Sequence, residues 1–148
     1  MKLKVIQNKE LREDEIEVNT PFDETHIKRI SNYISAFNQT IRVKDERKET
    51  VVFIDDIQYL EWVDKQVFLY TVDAMYFKST TLQAIAQLLD KHSFVRISKT
   101  TIVNIHAIKH IEPYPNHRLL LQLISEEKLI VNRNYIKKLR DKIREETL

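Results

Sequence analysis

The stretch RISKTTIVN, from Arg96 to Asn104, sets Ser98, Lys99, Thr100 and Thr101 among short apolar strands. Two further polar groups sit at element ends: Arg133 and Asn134 open a helical pattern, and Asp64, Lys65 and Gln66 separate two strand-like runs. Lysine and arginine donate to guanine acceptors and to phosphates, glutamine and asparagine pair with adenine, and hydroxyls and helix N-termini suit phosphate oxygens. A helix that begins near Arg133 also points its positive dipole end outward. These residue types, all at the ends of elements, point to chemistry that reads DNA.

Other chemistries fare less well. His106 and His110 stand four residues apart, a metal-binding spacing on a helix, but their surroundings read as strand and no third ligand is evident. His117 in YPNHR reads as an exposed turn residue. Asp55 and Asp56 suggest an acidic phosphoacceptor pocket, yet no strand with downstream Thr and Lys follows. Glu61 and Asp64 fall on opposite faces of one strand, and no Ser, His and Asp grouping assembles. Trp62 and Tyr70 are expected in the core or at an interface. The chain has no cysteine and no glycine. That excludes thiolate chemistry and the glycine loops that let phosphates approach the backbone. The expectation is a protein that is not an enzyme, with no catalytic residues, metal, cofactor or small-molecule substrate.

The 148 residues are 43% hydrophobic and 31% charged, the composition of a globular chain that can bury a core. Counting Lys plus Arg against Asp plus Glu gives 10 against 10 over residues 1–49, 2 against 6 over 50–90, and 12 against 6 over 91–148. The balance therefore runs 0, −4, +6. Such asymmetry suits one positive face for a polyanion, with the acidic third turned away. Neither a membrane-length apolar run nor a signal peptide is visible, so a cytoplasmic location is expected.

The elements that must position these groups follow from periodicity. KLKVIQ and EIEVNT alternate as short strands. A helix follows, with Thr20 as N-cap, Pro21 at its first position, Asp23 in the capping box, and Ile27, Ile30, Ile34 and Phe37 as its apolar stripe. From Thr40 the runs TIRVKD, TVVFI, QYLEWVD, QVFLYTV and AMYFK read as antiparallel strands, with turns that must rely on Asn, Asp and Pro. A short helix, TLQAIAQLLD, is expected to be capped by Ser79 or Thr80 and to turn Leu82, Ile85, Leu88 and Leu89 inward. FVRIS, AIKHIEP, RLLLQLI and KLIVN return to strand. Asn132 is the expected cap of a last helix with Ile136, Leu139 and Ile143 inward and Lys137, Lys138, Arg140, Lys142 and Arg144 outward. The reading is a mainly β fold with short helices (α+β), residues 41–148, preceded by a β-β-α appendage over residues 1–40.

The succession IQYLEWVDKQVFLYT, a short helix, FVRISKTTIVNIHAIKHIEP, a hydrophobic strand and LIVNRNYIKKL resembles the LytTR-type DNA-binding domain of bacterial transcriptional regulators. The resemblance covers roughly residues 45–145. It rests on F-x-R-x-x-(K/R)-x-x-x-V-N, then I-x-x-I-E-P, and the closing V-x-R-x-Y-x-x-x-L. It implies an elongated set of small antiparallel sheets whose loops, rather than a recognition helix, enter the major groove and read direct repeats. By this resemblance Lys99 and Arg133 reach base edges, and a third base-reading position falls at Lys65, Gln66 or Val67. Ser98, Thr100, Asn134, Lys137 and Lys138 are the expected phosphate contacts, with a helix-capping role for Ser98 equally open. Asn104 is expected to satisfy backbone groups at the turn.

The resemblance implies a stand-alone regulator without a receiver domain, whose partner is double-stranded DNA bound by a homodimer and whose input comes from a regulatory protein partner, one that membrane attachment would suit. The competing reading is a non-catalytic β-rich protein-interaction module, whose exposed edges and basic helix contact another protein.

Overall fold

The computed structural model describes residues 4, 6–11, 17, 19–21, 23–36 and 39–147. Most gaps between its strands are too short for crossovers, and among the described residues all pairing is antiparallel. Strands β1 (Thr40–Asp45), β2 (Lys48–Phe53), β3 (Tyr59–Val63), β4 (Gln66–Tyr70), β5 (Met75–Lys78), β6 (Phe94–Arg96) and β7 (Thr101–Asn104) form one sheet in the order β2-β1-β5-β4-β3-β7-β6. Strands β8 (Ile108–Tyr114), β9 (Arg118–Leu123) and β10 (Lys128–Val131) form a second, in the order β10-β9-β8. Among the described residues three α-helices accompany them: α1 (Glu24–Ala36), α2 (Leu82–Ala86) and α3 (Arg133–Glu146). This is the mainly β, short-helix architecture expected from the sequence.

Alternation along β3 and β7 divides the core in two. Leu60 and Ile102 point to the side covered by α2, where they join Val67, Leu69, Leu82, Ile85 and Phe94. Tyr59 and Val103 point to the other side, where Ile97, Leu121, Val131 and Leu139 pack between the second sheet and α3. A strand buried on both faces is held by packing from two directions, which fixes its register. The polar loops at its ends therefore stand on a rigid base.

Several local expectations change. The strands expected at KLKVIQ and EIEVNT lie largely outside the described residues, as does Phe37; Lys4, Ile6, Gln7, Glu17, Asn19 and Thr20 are described and are not in strands. Helix α1 is capped by Asp23 rather than Thr20: its Oδ1 accepts the His26 N–H at 3.1 Å, because the helix begins only at Glu24. Ile27 is 44% exposed, while Ile30 and Ile34 are half-buried. Thr81, not Ser79 or Thr80, caps α2, with its Oγ1 accepting the Ala84 N–H at 3.1 Å. That helix ends at Ala86, so Leu88 turns out to solvent, 53% exposed, while Leu89 enters the core. Asn132 stands at the N-cap of α3 without a capping side-chain hydrogen bond. Lys142, expected outward, keeps a side chain only 22% exposed beside Glu145 at 3.8 Å.

Without glycine, the left-handed turn positions fall to Glu46, Asp64, Lys65, Asn116, His117 and Glu126. Asp, Asn and His are enriched in this region, but Glu and Lys have no such preference. The expected reliance on Asn, Asp and Pro is therefore only part of the answer.

Candidate nucleic-acid interface

Three segments that are distant in sequence meet at one end of the large sheet. The loop from Ile97 to Thr101 closes on itself through the Ile97 N–H, which donates to the Thr101 carbonyl at 3.0 Å. On one side the Trp62 N–H donates to the Thr100 carbonyl at 2.8 Å, which ties the loop to the β3–β4 hairpin. On the other, the Asn132 N–H donates to the Ile97 carbonyl at 3.0 Å and ties it to the start of α3. The central loop is thus bridged by main-chain bonds to both neighbours.

Main-chain bridging leaves side chains for other use. Lys99, Thr100, Arg133, Asn134, Lys137, Lys138 and Lys65 are exposed, and Ser98 and Gln66 are half-buried. Val67 is fully buried in the core, which removes it from the possible reading positions at the bend. Val63 and Gln66 are register partners, so Asp64 and Lys65 form a two-residue hairpin turn with φ of 49° and 64°. Positive φ at both positions is the type I′ geometry that matches strand twist. It also projects Lys65 from the tip.

Within the central loop, Ser98 does local work. Its Oγ accepts the Thr100 N–H at 3.2 Å and lies 3.4 Å from Thr100 Oγ1, an ST-turn rather than a helix cap. One positioning residue escaped the sequence reading: the Arg96 guanidinium donates from Nη2 to the Lys99 carbonyl at 3.0 Å. Its Nε is buried without a partner. The arginine in the F-x-R pattern was the available signal. Behind the loop, Asn104 is 4% exposed; its Nδ2 donates to the Ile57 carbonyl and its Oδ1 accepts the His106 N–H, both at 3.0 Å. Its expected structural role holds.

Other candidates settle elsewhere. Trp62 is 40% exposed beside the loop, so it is not a core residue. Tyr70 stacks on Tyr59 with ring centroids 4.3 Å apart. Burial, then the nearby Glu127 and Glu61 carboxylates, push the Tyr59 phenol up, and burial followed by Glu61 does the same for Tyr70. Both stay neutral at physiological pH. His106 lies in a 3₁₀ turn and His110 in β8, so the helical spacing that would converge on a metal does not arise. Among the described residues no helix is long and apolar enough to cross a membrane.

The fold and the loop cluster define a DNA-binding class of domain. Residues 47–144 match the LytTr DNA-binding domain family, and the chain belongs to that family. It is 33% identical over 99 residues to the sensory transduction protein LytT of Bacillus anthracis, covering 67% of this chain and 40% of that protein. It is 29% identical over 134 residues to LytT of Bacillus subtilis (strain 168), covering 81% of this chain and 56% of that one. The chain thus spans about half the length, or less, of these relatives. Among solved structures, the LytTr DNA-binding domain of a methyl-accepting/DNA response regulator from Bacillus cereus superposes with a TM-score of 0.67 at 26% identity, over 72% of this chain and 97% of that one.

Proposed function

We propose that this protein is a cytoplasmic, sequence-specific transcriptional regulator that reads direct repeats in double-stranded DNA through loops placed in the major groove. One observation carries the reading: two main-chain hydrogen bonds join the β3–β4 hairpin, the Lys99 loop and the start of α3 into one surface, with the cationic side chains left exposed. In this reading Lys99, Arg133 and, from the hairpin, Lys65 or Gln66 reach base edges, where lysine and arginine favour guanine and glutamine favours adenine. Ser98, Thr100, Asn134, Lys137 and Lys138 hold phosphates and fix the register. Residues 1–40 serve as an appendage that joins two subunits or receives a regulatory protein.

Selection of bound duplexes from random DNA tests this directly. Two direct repeats on one face of the helix are expected; absence of any enriched sequence would overturn the reading and favour a protein-interaction module. Binding to a selected duplex should also weaken steeply with salt. A surface that neutralises about five to eight phosphates gives a log-log slope on the order of −4 to −7 by counterion release.

A further inference from the structure

The sheet order leaves β2 at the edge far from the Lys99 loop, which joins β6 to β7. The Ile54 N–H donates to the Gln39 carbonyl at 2.9 Å, so in the antiparallel ladder Val52 and Thr50 turn their main chain toward β1, and Phe53, Val51 and Glu49 turn theirs outward. Two contacts across β1 agree. The Arg42 carbonyl, opposite Val51, accepts from Lys78 Nζ at 2.8 Å, and Lys44, opposite Glu49, is the β1 residue that pairs with Phe77 of β5. Among the described residues no hydrogen bond reaches the outward groups of Glu49, Val51 and Phe53. Their side chains are bare as well, with Val51 60% and Phe53 50% exposed. Val51 to Phe53 also wall a cleft of about 540 Å³, lined further by Asp55, Asp56 and Asp73, at the opposite end of β3, β4 and β7 from the Lys99 loop. Proteins guard free edges with charge, proline or a covering element. β8, an edge of the small sheet, carries Lys109 and Pro113, whereas β2 has no such block from Thr50 to Phe53.

We infer that β2 pairs antiparallel with β2 of a second copy of this chain, about a two-fold axis at Val51. The occupant follows from the edge itself. RKETVVFIDD, Arg47 to Asp56, is basic at its start, apolar in its middle and acidic at its end, and Arg47, Lys48, Asp55 and Asp56 are all exposed. Laid antiparallel on its own copy with Val51 opposite Val51, it brings Arg47 and Lys48 of each chain against Asp55 and Asp56 of the other; a parallel pairing would set like charges together. The same register matches main chain to main chain. Glu49 meets Phe53, Val51 meets Val51 and Phe53 meets Glu49, hydrogen-bonded pairs that use every outward group of the strand. Shifting the pair by two residues instead sets Glu49 against Asp55, like against like, or Phe53 against the turn at Arg47. Within its own chain Glu49 keeps Lys44 as its register partner. One pair of short strands is a small interface, so a dissociation constant on the order of 10–100 µM is expected. A two-fold pair sets its two Lys99 loops in inverted relation, so it is an association of the free protein, distinct from two copies side by side on direct repeats. It rests on β2 and is independent of the DNA reading.

Sedimentation of the full chain without DNA, from about 5 µM to about 1 mM, should show monomer passing to dimer. Val51→Pro removes an N–H that β1 does not use, so the variant should keep its circular dichroism spectrum and dimerise at least about ten-fold more weakly. Phe53→Lys, which charges the edge without touching the main chain, should do the same. Arg47→Asp should weaken the dimer, and Asp55→Arg added to it should restore it. Because the chain has no cysteine, single substitutions report the register. Val51→Cys, at the axis, should cross-link to its own copy in oxidised glutathione, with Cα atoms about 5.5 Å apart. Glu49→Cys should not, since the two copies of that residue lie about 14 Å apart along the paired strands. A chain that stays monomeric throughout overturns the proposal and leaves this edge to a strand of another protein. A dimer unmoved by both Val51→Pro and Phe53→Lys, or cross-linking through residue 49 and not 51, overturns it as well.

Discussion

The two ends of β3, β4 and β7 treat polar residues in opposite ways. At one end Lys99 uses only its main chain for structure, its carbonyl accepting from Arg96, and among the described residues its ammonium has no hydrogen-bond partner. At the other end Asn104, five residues on, commits both ends of its amide to the main chain of Ile57 and His106. Both residues interrupt the same apolar stretch, and the sequence already suggested a structural role for the second, but not which main-chain groups it would satisfy. The difference lies in where the donors point: inward they brace the fold, outward they are available to a ligand.

That contrast breaks most visibly at Asn104. Asn104→Leu keeps the branched shape but removes the donor to the Ile57 carbonyl and the acceptor of the His106 N–H, and should cost about 2–4 kcal/mol of stability. Lys99→Ala should change stability by no more than about 0.5 kcal/mol, as expected for an exposed side chain away from caps and strain. Urea melts of both variants check the pair. Equal losses would erase the distinction between the two ends.

On DNA the order reverses. Lys99→Ala and Arg133→Ala should each lose about 1–3 kcal/mol on a selected duplex and relax selectivity at one base position. Lys137→Ala and Lys138→Ala should weaken selected and scrambled duplexes alike, because phosphate contacts carry little sequence information. Binding of all four variants to both duplexes, with folding followed by circular dichroism, decides between reading and positioning. A Lys99→Ala protein that weakens both duplexes equally would reduce the loop to an electrostatic support.

The brace was more legible in the sequence than the cleft. Period-two alternation in QYLEWVD and the 3.6-residue spacing of Ile136, Leu139 and Ile143 foretold β3 and α3, since burial imposes those periods directly. Lys99, Arg133 and Lys65 could be gathered as candidates from residue type and family resemblance, but not the bonds from Trp62 and Asn132 that join their segments. The caps at Asp23 and Thr81 were missed because nearby Thr and Ser offer equivalent chemistry, and only the helix start decides among them. The cleft was invisible because Gln58, Asp73 and His106 come from three segments that meet only when β3 lies between β4 and β7.

A smaller effect sharpens the comparison at the Lys99 end. Lys65 carries a φ of 64° without the side chain that tolerates it, so the hairpin tip holds strain that glycine would release. Lys65→Gly should stabilise the fold by about 1 kcal/mol and, if Lys65 touches DNA, weaken binding at the same time. Stability and affinity moving in opposite directions in one variant would mark a turn residue retained for its side chain. If stability rises while affinity on selected and scrambled duplexes is unchanged, the third reading position passes to Gln66.

The smallest effect belongs to the acidic end and depends on pH. Asp55 has a folded-state pKa above the ordinary value of 3.8, chiefly from burial and then from Asp90 and Asp56. A carboxyl with a raised folded pKa leaves the fold unburdened below its unfolded value, and its charge burdens the fold as pH rises through the folded value. Asp55→Asn removes that burden. The variant should therefore melt slightly above the parent protein at neutral pH, and the gap should close as the medium falls below the ordinary carboxylate range, where the parent's Asp55 is also uncharged. Thermal melts of both proteins at neutral and strongly acidic pH measure the gap. A gap that persists in acid would trace the gain to packing or hydrogen bonding by the amide, and a loss at neutral pH would mean that the Asp55 carboxylate is held by a favourable partner rather than crowded by its neighbours.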